Sequence, residues 1–265
     1  MTLRPTEGLS YQGSYTWSKA ISGCGNVQCT TWINAVDRSL NRNLQASNRT
    51  HGFRLSGVYE LPFGPNRRLL GKSTGVLARL AEQWQLSFIV LANSGVPLDI
   101  GATNTYVGSS RPDIVGPFAK DLGKAHMTGG LPGYFEEGAF RVVSDPQCDR
   151  VTTLQDTRTA CTLRAVADSQ SRIVLQHSRP GTLGNLGSGW LSGPGRFSMD
   201  MSASKTVRIG ETKSFQIRVD AKNVLNRPYV LASPDLNMNS SNFGQFSGDD
   251  VLGSRQFQGQ LRFSF

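Results

Sequence analysis

Apolar and polar residues alternate with a period of two in six segments of the chain, a pattern typical of β-strands with one apolar face. The clearest segment is the last one. Its first face carries Phe257, Gly259, Leu261, Phe263 and Phe265, and its second face carries Gln256, Gln258, Gln260, Arg262 and Ser264. The other five segments begin near Leu9, Phe53, Trp84, Phe197 and Phe215. Each is about 9–11 residues long, the length with which a tilted strand crosses a bilayer.

The polar faces of these segments carry charges, namely Arg54, Glu60, Asp200, Arg218, Asp220, Lys222 and Arg262. A water-filled or plugged lumen accommodates such side chains, whereas a packed core does not. A sheet with one buried and one solvated face gives the same alternation. Aromatic residues near the strand ends favour the membrane, where they would form girdles at the two interfaces; they are Trp17, Phe53, Trp84, Phe197, Phe215 and Phe265.

The connections between the six segments alternate between long and short. Residues 19–51, 94–196 and 227–254 form long connections, while a turn at 62–66 with a helical stretch near 74–82, and a turn at 209–211, form short ones. Outer-membrane barrels have long loops outside the cell and short turns in the periplasm. This order predicts that the last strand runs inward and that Phe265 lies at the periplasmic rim.

The connection at 94–196 is too long for a structureless loop. We therefore expect an elaborate external loop with some structure of its own, including additional strands around 97–102 and 172–177. Asn185 lies in a glycine-rich part of this connection, where its side chain is expected to order the loop by hydrogen bonds.

Composition narrows the class of protein. The 265 residues carry a net charge of +9 and 18% charged residues, which does not indicate a disordered chain. The positive charge favours binding of anions such as lipopolysaccharide phosphates. Basic and aromatic residues are not interleaved as in RNA-binding proteins, so we do not expect nucleic acid as a partner. No apolar run is long enough for a membrane helix. Residues 1–8 do not form a signal peptide, so we expect either a cytosolic protein or the C-terminal piece of a longer exported one.

The four cysteines form two local pairs, Cys24 with Cys29 and Cys148 with Cys161. Neither pair has the spacing of a zinc site. Two short-range disulfides in exposed loops are the preferred interpretation and indicate an oxidising compartment, with free thiols as the alternative.

No motif indicates catalysis or a bound cofactor. Gly71-Lys72-Ser73-Thr74 resembles the end of a phosphate loop, but the first glycine of that motif is missing. His51, His126 and His177 are scattered, and no metal-binding or catalytic arrangement stands out. We expect no enzyme, no cofactor and no metal site.

Several runs together resemble TonB-dependent receptors of the Oar-like type. They are HGFRLSGVYELPFG at 51–64, QWQLSF at 83–88, NSGVPL at 93–98, FSMDMSASK at 197–205, VDAKNVLNRP at 219–228 and NFGQ at 242–245. The resemblance implies an all-β chain, an antiparallel transmembrane outer-membrane β-barrel of which residues 1–265 form the C-terminal part. The plug and the TonB-contact segment of such receptors have no counterpart in this chain.

The resemblance also implies location in the outer membrane and uptake of an unidentified substrate, driven through TonB by way of the missing N-terminal part. Its partners would be outer-membrane lipid, lipopolysaccharide and the barrel-assembly machinery, which would read Leu261, Phe263 and Phe265 as an assembly signal. Six strands cannot enclose a large lumen and leave two unpaired edges, so this chain alone should not transport. The alternatives are a small complete barrel, or a soluble or surface β-sheet protein that binds ligands or acts as an adhesin.

Overall fold

The computed structural model describes most of the chain, namely residues 2–3, 8–23, 37–65, 67–102, 111–120, 122–124, 126–128, 131–150, 161–179, 182–210, 212–227, 229–230, 233–246 and 251–265. Strands dominate the fold. The described residues contain one α-helix, α1 (Gly75–Ala81), and 3-10 helices at Arg38–Asn41 and Pro146–Arg150. No helix in these residues is long and apolar enough to cross a membrane.

Nineteen strands are numbered in chain order. They are β1 (Thr2–Leu3), β2 (Leu9–Trp17), β3 (Ile21–Ser22), β4 (Asn43–Leu44), β5 (His51–Glu60), β6 (Trp84–Asn93), β7 (Pro97–Leu98), β8 (Pro112–Ile114), β9 (His126–Thr128), β10 (Leu131–Gly133), β11 (Phe140–Ser144), β12 (Arg164–Asp168), β13 (Ile173–His177), β14 (Leu191–Ser192), β15 (Arg196–Ile209), β16 (Lys213–Lys222), β17 (Tyr229–Val230), β18 (Val251–Leu252) and β19 (Gln256–Ser264).

The long strands form one antiparallel sheet in the order β1-β2-β5-β6-β15-β16-β19. The six strands predicted from alternation are all present, which confirms the all-β antiparallel prediction. The sheet has seven strands and not the six that alternation predicts. The additional strand is β1, which pairs Thr2 with Gln12 and Leu3 with Tyr11. Two residues are too few to show a period of two. β15 also continues to Ile209, beyond the segment recognised in the sequence.

The register keeps apolar residues together across the whole sheet. One row of paired residues crosses six strands through Leu9, Tyr59, Leu86, Ala203, Val219 and Gly259. Because side chains alternate along each strand, the neighbouring rows on this face are also mainly apolar, and the rows on the other face are mainly polar, with Val58, Ile89 and Leu91 as exceptions. We call these the apolar face and the polar face.

The sheet is open in the part of the chain that the structure describes. β19 pairs with β16 along nine residues, and all nine are exposed. The opposite edge consists of β2 and the short β1. The large side chains of the apolar face are exposed as well, including Tyr15, Trp17 and Phe257. An exposed apolar surface of this extent requires lipid or protein to cover it.

The two ends of the sheet differ. β2, β6 and β16 run towards the end where the long connections lie. At the opposite end β5 and β6 are joined by residues 61–83, which include α1, and β15 and β16 are joined by a tight turn. We call these the loop end and the turn end. Helix α1, near the helical stretch predicted at 74–82, belongs to the connection between β5 and β6 at the turn end.

The buried core lies outside the main sheet, in a loop domain formed by residues of 94–195 and 233–246. A second antiparallel sheet, in the order β11-β12-β13-β8, forms its frame. The core residues are Leu98, Ile100, Ala102, Phe118, Tyr134, Val166, Val174, Leu175, Leu186, Leu191, Leu236, Met238 and Phe246. The strands expected around 97–102 and 172–177 correspond to β7 and β13.

Hydrogen bonds join the two long connections within this domain. Gly101 N donates to Leu236 O at 3.0 Å, and Met238 N donates to Gly101 O at 2.9 Å. Tyr134 N donates to Gly244 O at 2.7 Å. The first long connection also reaches the domain, since Asn43 Nδ2 donates to Ser188 Oγ at 3.3 Å. Three loops that are distant in sequence therefore meet above one end of the sheet.

Close backbone packing joins the loop domain to the sheet at Gly95 and Gly193. β7 and β14 pair here, and Gly193 N donates to Val96 O at 2.7 Å. A Cβ atom at position 95 would overlap the carbonyl group of Gly193, whereas one at Gly259 would meet no atom. The junction therefore depends on the missing side chain of Gly95.

We expect Gly95→Ala to destabilise the protein by about 1–3 kcal/mol, because the added methyl group forces two backbone segments apart. The control is Gly259→Ala, which places the same methyl group in open space on the apolar face. The measurement is the temperature at which the folded, heat-modifiable band disappears in gel electrophoresis. Equal unfolding temperatures for the two variants would contradict the proposed packing at the junction.

Candidate functional site

The polar face carries charged side chains at several levels between the turn end and the loop end. Arg218 forms an ion pair with Asp220, with 2.9 Å between Nη2 and Oδ1. Near the turn end Glu60 lies 3.3 Å from Arg67, and both are half exposed. Exposed pairs of this kind contribute little to stability, so their importance lies in the mixed charge that they give to the surface.

Two adjoining grooves follow the polar face from its middle to the loop end. The first is lined by residues of three neighbouring strands and of β19, including Ser87, Ile89, Asp200, Ser202, Asp220 and Gln258. The second, at the loop end, is lined by Arg196, Ser198, Asp200, Lys222, Asn223 and Gln256. They share Asp200 and Lys222, so together they form one path along the wall. We call this path the wall groove.

Asn223 fixes the loop at the mouth of the wall groove. Its backbone N–H donates to Asp200 Oδ1 at 2.8 Å, and its side-chain amide donates to the carbonyls of Arg227 and Gly253. The residue has a φ of 48°, a left-handed conformation that asparagine adopts more readily than most residues. One buried residue thus joins both ends of the last long connection through its side chain and holds them to the wall through its backbone N–H.

A third groove lies within the loop domain. It is lined by Ala46, Pro97, Leu98, Asp99, Gly101, Ala102, Ser233, Pro234, Leu236 and Asn237. Asp99 accepts a hydrogen bond from Gly189 N at 2.6 Å, which fixes its carboxylate. Burial lowers the pKa of the nearby Arg111 guanidinium, and the charge of Asp99 opposes this change. Three long connections contribute to this groove, so its shape depends on all of them.

A buried polar cluster supports the loop domain from inside. Asp145 accepts from Gln147 N at 2.9 Å and from Gln176 Nε2 at 2.7 Å. His177 Nε2 lies 3.1 Å from Asn239 Oδ1, which links the cluster to the last long connection. Buried polar groups that are hydrogen-bonded in this way make a domain more rigid. Asn185 also orders the loop as expected, since its side chain accepts from Ile114 N at 2.7 Å.

The five aromatic residues predicted for the membrane interfaces lie at two levels of the apolar face. Phe53 and Phe197 flank Ala92 in one row near the loop end, and Trp17 pairs with His51 beside them. Trp84 and Phe215 lie near the turn end. Trp17, Phe53 and Trp84 are exposed, while Phe197 and Phe215 are half-buried. Their contact with the two interfaces stays a prediction.

The three residues expected to form the assembly signal are on the apolar face at the free edge of the sheet. Leu261 pairs with Ile217, and Phe263 pairs with Phe215. Phe265 follows the strand, 92% exposed, with its ring 6.1 Å from that of Phe263. Exposure of all three leaves them accessible to a partner, and their role as a signal stays a prediction.

The structure tests one of the two predicted disulfides. The structure joins Cys148 to Cys161 by a disulfide, with 5.8 Å between the Cα atoms, as the sequence predicts. This bond closes a short loop of the loop domain. Cys24 and Cys29 lie outside the described residues, so their pairing stays a prediction. The three histidines do not converge, and no group of three or more potential metal ligands occurs among the residues that the structure describes.

Sequence reasoning missed Lys205, which lies on the apolar face of β15. In the strand register it lies between Trp84 of β6 and Ile217 of β16, and only 6% of it is exposed. Its Nζ donates to the carbonyl of Arg79 at 2.7 Å and also to that of Glu82. A lysine at an apolar position of the alternation was the signal that could have identified it.

Comparisons with known proteins give one result. Residues 1–258 match the family model described as "Outer membrane beta barrel domain". No curated protein and no solved structure matches the chain.

A hairpin of the loop domain should respond to pH through Asp168. Burial alone would raise the pKa of Asp168, but hydrogen bonds from Arg172 and Gln170 and the charge of Arg172 hold it below its ordinary value of 3.8. Arg172 Nη2 lies 2.7 Å from Asp168 Oδ2. A lowered pKa means that the ionised carboxylate stabilises the fold above pH 3.8 and that this contribution is lost as pH falls through the folded-state pKa.

We therefore expect Asp168→Asn to lower the unfolding temperature at neutral pH and to have no effect at the acid extreme. Calorimetry of the detergent-solubilised protein at both pH values measures the difference. Glu137→Gln, which removes an exposed carboxylate of the same domain, serves as the control. A difference between Asp168→Asn and the unsubstituted protein that does not change with pH would contradict the role of the charge.

Proposed function

Because the chain belongs to the outer membrane beta barrel domain family, we propose that it forms the C-terminal part of the barrel of a TonB-dependent receptor. The protein is an outer-membrane barrel protein, which removes the soluble alternative. In the proposed receptor the chain supplies external loops, a wall of the lumen and the closing strand. The imported substrate binds at the loops and then passes along the wall.

The observation that carries this proposal is the wall groove beneath the loop domain. A path lined by charged and polar side chains continues from the middle of the sheet to the loops, and Asn223 lies at its mouth. A barrel with only a structural role needs no such path. The groove inside the loop domain adds a second binding surface on the side that first meets a solute.

The open sheet supports the idea of a longer receptor. The backbone groups along the free edge of β19 must be paired in lipid, because an unpaired group there costs several kcal/mol. Seven strands, one of them two residues long, are too few to surround a lumen lined with charged side chains. Additional strands, contributed by the rest of the receptor, would pair with both edges.

In the proposed mechanism the loop domain captures the substrate by shape and mixed charge. Arg196, Lys222 and Asp200 then provide polar contacts along the wall as the substrate moves inward. A plug would block this path until energy delivered through TonB displaces it. Both the plug and the TonB contact belong to segments outside this chain.

The experiment that tests this function compares solute consumption in three strains of the source bacterium: wild type, a strain lacking the receptor gene and a strain lacking TonB. Mass spectrometry of the spent medium measures which solutes remain. We expect the receptor deletion to leave a subset of the solutes that the TonB deletion leaves. Consumption that depends on the receptor but not on TonB would contradict the proposal and indicate a passive pore. An unchanged medium would favour an adhesin.

Replacement of Phe265 by Ala should lower the amount of receptor in the outer membrane several-fold, because Phe265, together with Leu261 and Phe263, is proposed to bind the assembly machinery. Phe257→Ala is the control, since it also removes an exposed ring, from the apolar face of β19 at its other end. Quantitative immunoblots of membrane fractions measure both variants. An equal reduction in the two would mean that only lost lipid contact matters and would contradict a terminal signal.

A further inference from the structure

The connection between β5 and β6 turns outward onto the apolar face of the sheet. Lys205 establishes this side, because it lies on the apolar face and donates hydrogen bonds to carbonyls at the end of α1. Trp84, also on the apolar face, donates from Nε1 to Leu80 O at 2.9 Å. Both side chains fix the C-terminal end of α1. The helix therefore lies on the outside of the barrel wall and not in the lumen.

Helix α1 and the turn before it expose large apolar side chains. Val76, Leu77 and Leu80 are 76%, 59% and 63% exposed, and Leu69 and Leu70 are about half exposed. In α1 only Ala78 is buried. A soluble turn would not keep so much apolar surface in water, because each such side chain gains about 1.5–3 kcal/mol on burial. We call these five residues the turn patch.

Basic residues accompany the turn patch. The same connection contains Arg68, Lys72 and Arg79, of which Arg79 pairs with Glu82. Arg67 turns to the other side and pairs with Glu60 of the polar face. Apolar side chains combined with basic ones are the composition of segments that lie in a membrane interface and contact anionic headgroups. The turn patch is also continuous with the apolar face through Trp84.

We propose that α1 and the turn patch are seated in the periplasmic leaflet of the outer membrane. The occupant of this surface is phospholipid, with Val76, Leu77 and Leu80 among the acyl chains and the basic residues at the headgroups. The long loops of outer-membrane barrels face the outside of the cell, so the opposite end of the sheet, where α1 lies, faces the periplasm, and this fixes the leaflet. The inference requires only the outer-membrane location, so it stands whether or not the barrel imports a substrate.

Lys205 has a defined part in this arrangement. A lysine on a lipid-facing strand is costly unless its ammonium group finds partners. The last carbonyls of a helix lack partners within the helix and carry the negative end of its dipole. Contact between Lys205 and these carbonyls satisfies both groups in one place, and it anchors α1 to the wall at the depth of the interface.

The experiment uses the receptor purified from outer membranes and reconstituted into vesicles of phosphatidylethanolamine and phosphatidylglycerol. A nitroxide label is attached to Leu80→Cys and, in a second variant, to Leu77→Cys. Power-saturation EPR measures collisions of the label with oxygen, which concentrates in acyl chains, and with a nickel chelate, which stays in water. The control is Val115→Cys, at a residue that is 51% exposed in the loop domain.

We expect oxygen accessibility to exceed nickel accessibility several-fold at positions 77 and 80, with the opposite order at 115. Nickel accessibility at 77 and 80 equal to that at 115 would overturn the proposal, because the helix would then lie in water. Exclusion of both reagents would also overturn it and would indicate a protein partner on the turn patch. Lys205→Met in the Leu80→Cys background should raise nickel accessibility several-fold, and an unchanged value would refute its anchoring role.

Discussion

The pairing of backbone groups across the seven-stranded sheet is the constraint on which the rest of the structure depends. Lipid offers no hydrogen bonds, so each N–H and C=O group within the membrane must find a partner in a neighbouring strand. Because side chains alternate, the same pairing decides which residues meet lipid. A shift of one residue between β15 and β16 would turn Arg218 and Asp220 into the membrane and Val219 into the lumen.

Stability is divided between two parts of the molecule that are held by different forces. The main sheet has few buried apolar side chains and relies on its hydrogen-bonded register and on lipid. The loop domain has a compact apolar core, a disulfide and a buried polar cluster, which are features of a small water-soluble protein. The loop domain is therefore held by its own core, whereas the wall depends on what covers its apolar face.

The sequence predicts the sheet well and the loop domain poorly, for a physical reason. β5, β16 and β19 have nine or ten alternating residues, enough for the period of two to appear. Strands of the loop domain have two to five residues, and core members such as Leu98, Tyr134 and Met238 come from distant parts of the chain. Their contacts depend on tertiary packing. The alternation marks Lys205 as a charge at an apolar position, but its partners are backbone carbonyls, which no side-chain pattern reveals.

The meeting of three long connections in one domain has a consequence for recognition by the immune system. The surface that this domain presents to an antibody is built from the first, second and third connections together, because Asn43 is hydrogen-bonded to Ser188 and the second connection is hydrogen-bonded to the third at Gly101. The epitope of such an antibody would be discontinuous. A synthetic peptide copied from one loop would lack the neighbours that give that loop its shape, and would be a poor vaccine antigen compared with the folded domain.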